Sequence, residues 1–143
     1  LKANVGVFGS ATGANASIET TRQNLPEVLR LVAEILREPA FPESEFETLK
    51  QETITNLENQ RSEPTSVAFN ELNKHFNRYP KGDPRYSRSL DEQIADTKAV
   101  TLEEVKSFYK DFYGASDATM AIVGDFDPNQ TSALVKELFG SWK

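Results

Sequence analysis

The chain has 143 residues, a net charge of −6 and no cysteine, a length that suits one domain able to bury a real core. The missing cysteines exclude disulfides and thiolate metal sites, and the negative charge argues against duplex nucleic acid, which needs a basic surface. No apolar run approaches a membrane span, and no basic-then-apolar signal segment is present.

Two strands are predicted first. In Leu1 to Ser10, Ala3, Val5 and Val7 alternate with Lys2, Asn4 and Gly6, which predicts a strand over Ala3–Ser10. Ala14, Ala16 and Ile18 alternate with Asn15, Ser17 and Glu19, which predicts a second over Ala14–Thr20. The small residues from Gly9 to Gly13 suit the hairpin turn between them. Alternation of this kind means half-buried strands, with helices expected on one side.

The middle of the chain is helical. Asn24 is placed to cap a helix whose apolar face is Leu25, Val28, Leu29, Val32 and Leu36, with Pro26 near its start. The run Glu38-Pro39-Ala40-Phe41-Pro42 ends it. A second helix is predicted from near Pro42 to about Arg61, with Phe46, Leu49, Thr53 and Leu57 down one side and Ile54 beside them. Its Leu49, Thr53, Leu57 side is expected to pack on the sheet. Glu43, Glu45 and Glu47 in its first turns complement the positive helix end. After Ser62-Glu63-Pro64, a third helix carries Val67, Phe69, Leu72, His75 and Phe76. Arg78 to Tyr86 has the composition of an ordered loop, and a short helix follows around Leu90 to Ala95.

The closing stretch, Thr101 to Pro128, is the most informative. Thr101 and Glu104 form a capping box, and Leu102, Val105, Phe108, Tyr109, Phe112 and Tyr113 share one helical face. Gly114 supplies the stop. Ala118 to Val123 is an apolar run of strand length, with a third strand predicted over Ala118–Gly124. Asp127 and Pro128 suit the N-cap and first residue of a last helix. Strands grouped apart from helices indicate an α+β two-layer sandwich, with a mostly antiparallel sheet and helices packed on one face, rather than a doubly wound sheet. The chain is expected to be a single domain, 1–143, cut from a larger protein. It starts at Leu1 and enters strand-like sequence at once, and strands before Leu1 would cover the open sheet edges.

Little in the chain suggests chemistry of its own. His75 is the sole histidine. With Glu71 one turn away it makes at most two ligands, whereas catalytic zinc commonly takes three. Neither HxxEH nor HExxH occurs. The run Glu43, Glu45, Glu47 reads as solvated charge at a helix start, and Asp125 and Asp127 as turn and cap residues. One histidine leaves no convincing nucleophile–base pair among the serines and threonines. Asn15-Ala16-Ser17 matches a glycosylation acceptor by pattern, but its place in a strand argues against use. No catalytic, cofactor-binding or metal residue is therefore assigned.

The wording of the Thr101 to Pro128 stretch resembles the pitrilysin/insulinase family of zinc metallopeptidases. The resemblance extends over Leu1 to Ser10, Arg22 to Leu29, the Leu36 to Phe41 helix exit and Glu45 to Pro64. It implies an inverted-zincin fold of the LuxS/processing-peptidase-like metallohydrolase type, truncated at the N-terminus. In active family domains the HxxEH helix lies upstream of the first strand, and a Glu on the long helix is the third zinc ligand. Matching Leu49 to Leu57 to that helix puts Asn56 at the ligand position, where an amide replaces a carboxylate poorly. Glu52 and Glu58 point elsewhere on the helix. The family builds its enzymes from paired halves, so the resemblance implies a domain of the non-catalytic half, forming part of a peptide-enclosing chamber. The loop from Tyr79 to Tyr86 resembles one in the second half of long bacterial members, often periplasmic. Zinc is then expected in the catalytic half of the parent and not in this fragment. The implied partners are that half, in the same or a paired chain, and a peptide or protein substrate, with no nucleic acid and no membrane span. The alternative is a structural or interaction domain of a member that has lost peptidase activity.

Overall fold

In a computed structural model of the chain, residues 2–10 and 13–142 are described. They contain one antiparallel hairpin and six α-helices, an α+β composition. The residues gather into two compact units, one of residues 1–40 and 110–143, the other of residues 41–109.

In the first unit, β1 (Asn4–Ser10) pairs with β2 (Gly13–Glu19). The register sets Val5 against Ile18, Val7 against Ala16 and Gly9 against Ala14. The predicted apolar sets are thus cross-strand neighbours on one face, as period-two alternation requires. Val5 and Ile18 are half-buried, whereas Val7 is exposed. The turn expected over Gly9 to Gly13 lies partly outside the described residues.

A short 3-10 turn at Arg22–Asn24 leads into α1 (Leu25–Arg37). Asn24 supplies no side-chain cap, contrary to expectation, because it sits in that turn with helical φ and ψ. The amides of Asn24 and Leu25 both bond the Thr21 carbonyl instead. Val28, Leu29, Val32 and Ala33 are buried along one stripe of α1, each large side chain contributing about 1.5–3 kcal/mol. The last helix of the chain, α6 (Pro128–Phe139), begins as its sequence dictates: the Asp127 carboxylate accepts from the amides of Asn129 and Gln130. Packed together, α1 and α6 are joined by Arg30 to Glu137 at 3.1 Å and by the Arg37 guanidinium donating to the Leu138 carbonyl.

The third predicted strand is not formed among the described residues. Residues 118–123 run without a ladder partner, with Met120 exposed and Val123 almost wholly so. Apolar composition marks a segment that can pair; pairing also needs a neighbouring edge, and β1 and β2 bond only each other.

The second unit holds α2 (Glu43–Ser62), α3 (Pro64–Phe76), α4 (Leu90–Ala99) and most of α5 (Leu102–Phe112). On α2 the buried residues are Ile54 and Leu57, while Leu49 is 64 % exposed and Thr53 turns its hydroxyl back to the Leu49 carbonyl. The expected packing side is therefore corrected by part of a turn. Its partner is α4, where Leu90 and Ile94 close on Leu57. Lys50 donates to the Val100 carbonyl at 2.8 Å and Arg61 meets Asp91 at 3.1 Å, so the two helices run antiparallel. Along α3 the pattern is inverted. Ser66, Asn70 and Lys74 are half-buried, while Phe69, Leu72 and Phe76 face outward, Phe76 at 71 % exposure.

The loop from Asn77 to Ser89 is held by polar contacts. Gly82, at φ +101°, takes the third position of a turn closed by Asp83 N–H to the Pro80 carbonyl, a place that favours glycine. Asp83 accepts from the Arg85 backbone and guanidinium, and that guanidinium lies 3.9 Å from the Tyr79 ring centre. Glu92 binds Lys81 at 2.7 Å and closes a capping box with Ser89. The Arg85 contacts hold Asp83 down to about 2, and the Lys81 and Ser89 contacts hold Glu92 down to about 2.

Leu29→Ala is expected to cost about 2–5 kcal/mol in denaturant unfolding, because a buried cavity adds to the lost transfer energy. Leu49→Ala should change stability by no more than about 0.5 kcal/mol, as at other exposed positions. For Asp83 and Glu92, depressed folded-state values mean stabilisation that is complete above their usual 3.8 and 4.5 and lost as pH falls toward 2. The Ser89 amide resonance should titrate with a midpoint near pH 2, and Asp83→Asn with Glu92→Gln should flatten the acid limb of the melting-temperature profile.

Candidate functional site

The residues that sequence reasoning weighed as ligands stand apart. On α2, Asn56 and Glu52 are exposed, and Glu58 is turned to Lys98 at 3.4 Å. His75 lies exposed on α3 with its ring edge-on to Phe76 at 5.3 Å. Glu71, its supposed co-ligand, bonds Lys74 at 2.8 Å, which raises the lysine pKa. Among the described residues no three His, Asp or Glu side chains converge in a way that would hold a metal. A catalytic zinc needs about three protein ligands and an open position. The residues present do not fit that group.

Among the described residues the remaining acids do not converge either. Glu43, Glu45 and Glu47 are exposed at the start of α2. Asp125 meets Arg22 at 2.7 Å, an exposed pair of the kind worth about 0–1 kcal/mol. Asp127 is the α6 cap. Arg22 also lines an open depression with Lys2, Thr21, Gln23 and Asn24, polar walls without a carboxylate–histidine or nucleophile–base arrangement. The Thr20 hydroxyl is buried without a hydrogen-bond partner, but a lone hydroxyl is a weak nucleophile without an adjacent base. Asn15 is exposed within β2, opposite Phe8.

The best-organised polar centre lies around Glu92, away from every residue weighed as a ligand. Glu92 accepts from Lys81, from the Ser89 amide at 3.0 Å and from the Tyr86 hydroxyl at 3.4 Å. Ser89-x-x-Glu92 is the same capping-box signature that Thr101 and Glu104 display, so the signal was in the sequence. At that second box Thr101 donates to Glu104 at 2.8 Å through both its hydroxyl and its amide, which lowers the Glu104 pKa. Both centres order backbone. Neither presents an unpaired acid or base to a substrate.

Among the described residues no helix is long and apolar enough to cross a membrane. No curated protein matches the chain. Residues 99–143 match the family model of the Peptidase M16 inactive domain, an interval that contains the Thr101 to Pro128 stretch. Residues 10–88, more than half of the chain, match that of Insulinase (Peptidase family M16). The family is generally zinc-dependent, and its members pair catalytic with inactive halves. The chain belongs to the insulinase family of peptidases.

Proposed function

We propose that the chain is a non-catalytic domain of a zinc metalloendopeptidase, forming one wall of the chamber that encloses peptide substrates. The observation that carries this reading is the match of residues 99–143 to the family's inactive domain. The dispersed donors around Asn56 and His75 support it. In the same reading, residues 1–143 form one domain of a larger protein, a two-layer sandwich with helices on one face of a mostly antiparallel sheet. Its partners are the catalytic half, which holds the zinc, and peptide or protein substrates; nucleic acid is not among them. The resemblance of the Tyr79 to Tyr86 loop to one in long bacterial members supports a bacterial, periplasmic parent.

The test is metal analysis after gel filtration, with a peptide-cleavage assay. The chain alone should retain no stoichiometric zinc against mild chelation and should cleave no peptide. Asn56→Glu, at an exposed position, should shift stability by no more than about 0.5 kcal/mol and confer no activity. One retained equivalent of zinc, or an active Asn56→Glu protein, overturns the proposal.

A further inference from the structure

Phe41 is the first residue of the second unit and Tyr109 the last. Their rings meet edge to face, with centroids 5.5 Å apart and planes at 70°, a favoured geometry for aromatic pairs. Phe41 also has φ +46°. A bulky residue is rare in that left-handed region, because Cβ crowds the neighbouring carbonyl. The position is doubly unfavourable, since Pro42 follows and a residue before proline is driven to extended conformations. Such a conformation persists only where its surroundings hold it.

Those surroundings are visible. Pro42 is the N-cap of α2, and its carbonyl already accepts the Phe46 amide at 3.1 Å. The residue after Phe41 is thus committed to the helix, so relaxation must occur at Phe41 itself. On the other side stands Tyr109, carried on α5.

We propose that Phe41 and Tyr109 form a clasp that closes the second unit at its own two ends and holds Phe41 in a strained, left-handed conformation. The clasp is a two-state device. With the rings engaged, Phe41 is left-handed and the start of α2 is fixed. With the Tyr109 ring withdrawn, Phe41 relaxes to the extended region that Pro42 favours, and the start of α2 moves. Tyr109 is a positioning residue.

Hydrogen exchange of the full chain tests this. Y109F keeps the ring and should exchange more slowly than Y109L. Y109L should speed exchange at the Phe46 amide, which bonds the Pro42 carbonyl, by about tenfold, the size of one aromatic pair, with Val28, Leu29 and Ile54 unchanged. In a second comparison, F41L should speed exchange at Phe46 as Y109L does, and F41L/Y109L no further than either, because one substitution alone opens the clasp. Unchanged exchange in Y109L, or effects that add in the double variant, overturns the clasp. If Y109L does not fold, unchanged exchange at Phe46 in F41L overturns it alone.

Discussion

The second unit depends on the seam between α2 and α4. Leu57 of α2 closes on Leu90 and Ile94 of α4, and few other side chains in that unit are buried. Because the apolar seam is short, its polar margins matter more than usual. Lys50 reaches the carbonyl that ends α4, while Arg61 and Lys98 bridge to Asp91 and Glu58. Each exposed ion pair is weak alone, and together they fix the antiparallel register that lets the three apolar side chains meet. Glu92, between Leu90 and Ile94 in sequence, then gathers Lys81, Tyr86 and Ser89, so the order of the loop follows from the position of α4.

The first unit rests on a different kind of burial. The α1 stripe is almost fully buried, whereas the hairpin has Val5 and Ile18 only half-covered and Phe8 64 % exposed. Polar contacts again set the ends. Arg37 and the Asp127 cap tie down the helix termini, where backbone groups lack intrahelical partners.

Helices were the most legible part of the sequence. Their spans follow from caps and stops that act within a few residues: Thr101 with Glu104, Asp127 with Pro128, and the prolines at 26, 42 and 64. The hairpin register was legible for the same reason, since alternation fixes the face. What the sequence did not disclose depends on distant partners. Leu49 and Leu57 lie on nearly the same side of α2, and only the position of α4 decides that Leu57 is buried and Leu49 exposed. Residues 118–123 have strand composition, yet they pair with neither β1 nor β2. Of the candidate site, the sequence shows which donor residues are present but not how they are arranged. Their separation in space was not readable, because Glu71 binds Lys74 and Glu58 binds Lys98. Ser89 with Glu92 was missed although it repeats a motif recognised at Thr101.

The polar bracket around Glu92 has a consequence for how the chain withstands cleavage. The loop from Asn77 to Ser89 carries Arg78, Lys81, Arg85 and Arg88 and lies mostly at the surface, the usual recipe for a trypsin-sensitive tip. Three of those side chains are already engaged: Lys81 by Glu92, Arg85 by Asp83 and the Tyr79 ring, and Arg88 by Asp96. A serine protease that selects basic residues must extract the side chain into its own pocket and straighten the backbone around it. Here it would first have to undo the turn at Gly82 and the capping box at Ser89. A segment that looks digestible from its sequence is shielded by the same contacts that shape it.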